Sequence, residues 1–416
     1  MLGLQVTPPQ FPALGSSLPV AILFLLHIAI AEFSVGVITL AAAMEWRAAL
    51  TGDARAARYA RAAANSYYLV FSLGATFAVF AVVLLIGLWG NEFGRLINVF
   101  IPLVAFAFGL FLVLTPMLAV YRNSFGRIGP RAHASLGAAV ALVQTLFVVL
   151  IVSLDAYLIT PFHGGLLESA LDPPYIPLLI HRLIGNVSWT ALFLAGYAAI
   201  KLHRSADGEE RGFQAWAAWV NLRIGLVTAL LMPVEGYALM LVLNNSQQGF
   251  FNNLVSGSTA WLMVLQEAFV AVVLVGGNVA LIAEQRGSAN GEGRDTIGLV
   301  AVGVSLAGMV VAALPSSVLP SGAETVRFVG LGAALVVTAV HLALRWHRRP
   351  IPAGDIAASA LTLGRRALVT VGAFSLLTAL LMGVIKESAR GSYAVYGELT
   401  QAQAQQQFTP SGSLYP

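Results

Sequence analysis

The sequence predicts an all-α integral membrane protein of about ten transmembrane helices, with both termini on the outer, periplasmic side. Three observations carry that expectation. Only 10% of the 416 residues are charged while 58% are apolar, and the mean hydropathy is +0.81; soluble domains carry roughly a quarter charged residues. Ten stretches reach the ~20 apolar residues that a helix needs to cross the hydrocarbon. The basic residues, finally, crowd into alternate connections, as the positive-inside rule expects of cytoplasmic loops.

The ten stretches are 18–43, 66–90, 95–121, 133–160, 177–200, 216–244, 257–283, 296–318, 325–345 and 366–387. No basic region precedes the first and no small-residue cleavage site follows it, so it reads as a retained helix rather than a signal peptide. The crowded loops hold Arg47, Arg55, Arg58, Arg61, Arg122, Arg127, Arg131, Lys201, Arg204, Arg211, Arg223, Arg286, Arg294, Arg345, Arg348, Arg349, Arg365 and Arg366, which is 18 of the 23 Lys and Arg. The other side keeps Arg95, Arg182, Arg327, Lys386 and Arg390. Connections are short, so residues 1–400 read as a single helical bundle and 401–416 as a polar tail lying over a surface or a partner. The isoelectric point near 9.5 then reflects cytoplasmic loops and not nucleic-acid binding. A multi-pass protein of the bacterial or archaeal plasma membrane is expected, with the lipid bilayer as its solvent.

The chain has no cysteine, which excludes disulfides, thiolate iron–sulfur clusters, thiolate zinc sites and c-type haem attachment. A redox centre would have to be held by His, Met or carboxylate. His27 lies about nine residues into the first helix, or ~14 Å from its outer end at 1.5 Å per residue. His181 and Arg182 stand near the outer end of the fifth, and Glu387 closes the tenth. Three potential iron ligands thus come from different helices and share the outer half. Haem propionates favour arginine forks, and Arg182, Arg327 and Arg390 are on that side. The plainer reading has Arg95, Arg327 and Lys386 reaching to head groups, and each histidine bonding across a helix pair.

"LLHIAIAEFSVGVITLAAAMEW" at 25–46 resembles the first helix of subunit I of cytochrome bd quinol oxidases: a histidine, a mid-helix glycine, then Met-Glu at the inner end. "NSYYLVFSLGATFAV" resembles that family's second helix. "ITPFHGGLLESALDPPYIPLLIHRLIGN" is similar to its outer loop and fifth helix, and "KESARGSYAVYGEL" at 386–399 to its Glu, Arg, aromatic and Tyr-Gly run. The resemblance implies haem b, one to three groups, with haem d able to use the same ligands. It implies His27 and Glu387 as ligands of a high-spin site, His181 as a ligand of a low-spin haem and Arg390 near propionates. It also implies a second membrane subunit and an electron donor, either quinol or a subunit on the outer side.

The likeness breaks in places. The family's third helix carries two glutamates, but "INVFIPLVAFAFGLFLVLTPM" has no acid. Where "VRFVGLG" should supply a methionine ligand it has Val329; Met240, Met309 and Met382 are the outer-half alternatives, and His341 lies too near the inner end. The long quinol loop is missing, "STAWLMVLQE" puts Trp261 and Gln266 in its charged segment, and no helix follows Glu387. Four acids remain inside helices, Glu32, Asp155, Glu235 and Glu267, and such carboxylates usually mark proton or ion routes. Glu32 is turned about 140° from His27 around the helix. Glu235 follows Pro233, whose freed carbonyl opens a polar site, and Asp155 is placed to face water. The first expectation is a haem-bearing subunit of a divergent bd-type oxidase passing electrons to oxygen. The second is a non-oxidase electron-transfer or scaffold subunit of a larger respiratory complex. The third is a transporter with His27, Glu235 and Glu267 along its path.

Overall fold

The computed structural model describes residues 15–162, 164–286, 295–314, 318, 325–346 and 358–406. Its helices are α1 (Ser17–Thr51), α2 (Ala54–Leu88), α3 (Gly90–Asn123), α4 (Pro130–Tyr157), α5 (Leu166–Ala170), α6 (Tyr175–Arg204), α7 (Gly208–Ser246), α8 (Gln248–Ser256), α9 (Trp261–Arg286), α10 (Thr296–Ala312), α11 (Thr325–Trp346) and α12 (Ala358–Ala389). A two-stranded antiparallel ribbon, β1 (Tyr393–Val395) with β2 (Leu399–Thr400), and the short α13 (Gln401–Ala404) follow. Among the described residues nine helices are long and apolar enough to span a membrane, and α10 is a shorter apolar helix. The eighth expected stretch, 296–318, is the shorter helix Thr296–Ala312, and residues 315–317 lie outside the described residues.

The chain divides into two compact units. The first comprises residues up to Leu183, Glu235–Gly257 and Lys386 onward; the second comprises Ile184–Val234 and Ser258–Ile385. In the first, α1 packs on α2 and α4, and α3 packs on α2 and α4. The α1–α2 turn is local chemistry. Gly52 takes φ +71°, donating its amide to Ala48 O at 2.8 Å, and Asp53 caps α2 by accepting from the Arg55 amide at 3.0 Å. Left-handed backbone suits glycine, and a carboxylate at the N-cap satisfies amides that the helix leaves unpaired. Pro102 and Pro116 sit inside α3 and Pro233 inside α7, where neighbouring helices offset the lost backbone bonds.

The chain after α12 turns back onto the first unit. Tyr396 donates its amide to Leu158 O at 3.0 Å, Asn253 Nδ2 bonds Ala389 O at 3.1 Å, and Asn91 Nδ2 bonds Gln403 O at 3.0 Å. Ala394, Val395, Leu399 and Ala404 join Leu88, Trp89, Phe100 and Tyr157 in one buried cluster. The polar tail thus begins by sealing the start of α3; residues 407–416 lie outside the described residues.

In the second unit α9, α10 and α11 pack on one another, and α10 meets α11 backbone to backbone. A Cβ on Gly308 would lie 2.3 Å from Gly330 O, and one on Gly330 2.5 Å from Gly308 O. Gly196 meets Gly372 in the same way, its Cβ 2.9 Å from Leu368 O. Small residues permit such approach where lipid supplies no hydrophobic drive between helices.

Asp172, in the turn before α6, is 2% exposed, and neither carboxyl oxygen has a hydrogen-bond partner among the described residues. Burial pushes its carboxyl up to about 7 from the ordinary 3.8. The folded state therefore binds more protons than the unfolded chain between those values, and stability falls as pH rises through that window. Asp172→Asn is expected to melt higher than the parent at pH 8, with the gap closing by pH 5; equal gaps at both values would refute the assignment.

Candidate functional site

His27 sits on the face of α1 that meets α2. Its Nδ1 is 3.2 Å from the carbonyl oxygen of Gly74, which can only accept, so Nδ1 carries the proton. A Cβ on Gly74 would stand 3.1 Å from Ile30 Cγ2, so the glycine lets α2 lie close to this turn of α1. His181, on α6, directs Nδ1 at Glu235 Oε2 on α7, 2.5 Å away. A Cβ on Gly236 would lie 3.8 Å from His181 Cε1, leaving the ring room beside the α7 backbone. Both histidines hold Nδ1 on an oxygen acceptor, and neither Nε2 makes a hydrogen bond among the described residues. That is the arrangement of imidazoles that ligate metals: one ring nitrogen anchored, the other with its lone pair presented.

Neighbouring residues on a helix diverge by about 100°, so Arg182 faces away from Glu235. Its Nη1 donates to Glu32 Oε1 on α1 at 3.0 Å, and its Nη2 pairs with Asp155 on α4. Lys386, at the end of α12, bonds the other Asp155 oxygen at 2.8 Å. Two acids and two bases from four helices thus form one neutral chain, with side chains 16–19% exposed. The fork of arginine is what allows one residue to serve two carboxylates. Asp155, expected to face water, is instead a half-buried partner of two cations, and Lys386, expected to reach head groups, is the second of them.

Glu387 pairs with Arg390 three residues on, and Arg390 also donates to Ala394 O in the ribbon. Glu387 is 51% exposed and Arg390 9%. Glu92, in the first turn of α3, is buried within the electrostatic reach of both. The third helix therefore does carry an acid, two residues inside its start and outside the apolar stretch in which the sequence showed none. In the second unit Glu267 pairs with Arg327 at 3.2 Å, and Arg327 Nε donates to Ala312 O at the end of α10 at 2.7 Å. Arg327 is thereby occupied as a cap and counter-ion.

Two polar clusters escape a reading of spacing alone. In the first unit Glu45, Tyr121 and His133 form a buried triangle: Tyr121 donates to Glu45 at 2.6 Å, His133 Nδ1 meets the other Glu45 oxygen, and His133 Nε2 is 3.0 Å from Tyr121 O. A Cβ on Gly137 would lie 2.8 Å from Glu45 Oε2, so glycine makes the space. In the second, Asn278 bonds Ser305, Thr338 and His341, and Asp295 pairs with Arg345 at 2.6 Å. The only signal was a polar residue inside an apolar run, and the partners are 12 to 88 positions away. Among the described residues, three or more His, Asp or Glu groups converge nowhere as a bare metal ion would need.

An all-α membrane subunit with two histidines presenting Nε2 atoms that make no hydrogen bond among the described residues, and with Glu32, Asp155, Glu267 and Glu387 each paired with a cation, is the class this geometry defines. The chain belongs to the family of cytochrome bd terminal oxidase subunit I, whose model matches residues 16–249, more than half its length. Among solved structures it is similar to the bd oxidase from Geobacillus thermodenitrificans, at 15% identity, over 89% of this chain and 97% of that one, with a TM-score of 0.55. At that identity the likeness is one of fold. No curated protein matches in sequence. His27, His181, Arg182 and Glu235 fall inside the matched segment; Arg327, Glu387 and Arg390 fall beyond it.

Proposed function

We propose that the chain binds haem through His27, His181 and Glu387 and passes electrons from quinol or an outer-side donor to oxygen as the haem-bearing subunit of a divergent bd-type respiratory oxidase. The observation that carries this reading is the pair of histidines with Nδ1 anchored and Nε2 free. A porphyrin brings four nitrogens of its own and asks the protein for one or two axial donors, which is what a lone histidine per site can offer. Bound haem would supply the one-electron chemistry. The chain's part would be to orient the ligands, to meet a propionate with Arg390, and to keep water from the iron. One to three haems b, or a haem d on the same ligands, fit this donor set. Glu32, Asp155, Glu235 and Glu267, the acids inside the helices, would be the groups that relay protons. A second membrane subunit would cover the broad apolar face of α2 and α3, where Leu69, Phe80, Phe106 and Phe108 are exposed.

The test is a reduced-minus-oxidised spectrum of the purified complex, repeated with carbon monoxide. His181→Ala is expected to remove a low-spin haem, and His27→Ala or Glu387→Ala a carbon-monoxide-sensitive one. A complex without haem would refute the proposal. A second reading, electron transfer without oxygen reduction, is favoured by the acid-free interior of α3 between Arg95 and Arg122. Low-spin signals with no response to carbon monoxide would select it.

A further inference from the structure

Glu235 differs from Glu32, Asp155 and Glu387, the other acids near the proposed ligands, in having no cation bonded to it among the described residues. Glu32 and Asp155 are neutralised by Arg182 and Lys386, and Glu387 by Arg390. Among the described residues Glu235 bonds only His181, and its Oε1 is buried with no hydrogen-bond partner. An acid inside a spanning helix costs several kcal/mol unless something there uses it. The geometry shows what does. Arg182, tied to α1 and α4, fixes the rotation of α6, and Gly236 leaves the imidazole free to lie along α7 with Nδ1 on the carboxylate.

Resting on the haem reading above, we infer that Glu235 is a positioning residue that would lower the reduction potential of an iron bound at His181 relative to one bound at His27. The comparison is internal to the protein. His181 Nδ1–H is given to a carboxylate, His27 Nδ1–H to the neutral carbonyl of Gly74. A carboxylate draws the proton further from the ring than an amide carbonyl does, so Nε2 of His181 is the stronger donor. A stronger donor holds ferric iron more tightly relative to ferrous, which lowers the potential.

The experiment is a spectroscopic redox titration of the purified complex, with each haem assigned by its loss in His181→Ala or His27→Ala. Glu235→Gln keeps an acceptor and removes the charge. Its His181 haem is expected to be retained with ferric iron held about tenfold less tightly relative to ferrous, an upward shift of about 59 mV for one electron, while the His27 haem stays put. Glu235→Leu removes the acceptor, and haem affinity at His181 is expected to fall about 10- to 100-fold. A Gln variant that titrates like the parent means the contact only joins two helices and overturns the inference, while His181 remains a ligand. A check independent of any Glu235 variant is the order of the parent's potentials: the His181 haem must lie below the His27 haem, and the reverse order overturns it too. If His181→Ala loses no haem, the haem reading itself fails, which is a different result from either.

Discussion

Arg182→Leu is expected to leave little folded protein in the membrane. The guanidinium serves Glu32 at 3.0 Å and Asp155 with its two terminal nitrogens, and Lys386 bonds only Asp155, at 2.8 Å. Removing the arginine strands Glu32 without a cation and leaves Asp155 with one. Breaking a buried pair by deleting one partner costs about 3–5 kcal/mol, because the other charge stays behind uncompensated. That is a large part of the roughly 5–15 kcal/mol that holds a typical domain together. Leucine in Arg182→Leu recovers none of it, since lipid is already as apolar as leucine. The measurement is the yield of monodisperse protein after detergent extraction and its melting temperature. Adding Glu32→Gln to Arg182→Leu removes the stranded charge and is expected to recover much of the loss. A single variant that melts within a few degrees of the parent would show that the pairs are not held as described.

The same chain of charges shows where sequence reading reaches its limit. Composition and the alternation of basic loops were enough for the class of fold, because both follow from the hydrocarbon thickness and its intolerance of charge. His27 and His181 were legible as candidates because an apolar helix rarely carries a histidine without reason. Their partners were not. Helical period says that Glu32 lies about 140° from His27, and the two do bond different neighbours, Arg182 and Gly74. It cannot say which residue of another helix stands opposite. So Asp155 read as facing water and Lys386 as reaching head groups, when each was the other's partner across 231 positions. Glu92 was missed for a related reason: α3 begins before its apolar stretch, and a hydropathy window trims the end that carries the acid. The length of α10 was overestimated where apolar composition continues past Ala312, the last residue of the helix.

Gly330→Leu is expected to be as damaging as the loss of Arg182, by a different route. Even a Cβ at Gly330 would lie 2.5 Å from Gly308 O and 3.0 Å from Val311 Cβ, so α10 and α11 cannot keep their spacing. Backbone cannot move aside as a side chain tip can. Overpacking a core costs about 1–3 kcal/mol by itself. Here the helices that separate also carry a polar network across the gap: Ser305 to Thr338 at 3.1 Å, and Asp295 to Arg345 at 2.6 Å. Each buried polar group left unpaired adds about 1–3 kcal/mol, and α10, with 17 residues, depends on its neighbours to stay in register. Gly332→Leu is the matched control, two residues along the same helix, where a Cβ would meet nothing within 4 Å. It is expected to melt with the parent while Gly330→Leu falls well below it. If both fall together, leucine at this level of α11 is harmful in general and the close approach is not the cause. If neither falls, α10 and α11 tolerate separation, and the buried network at Asn278 must hold the second unit together without the backbone contact.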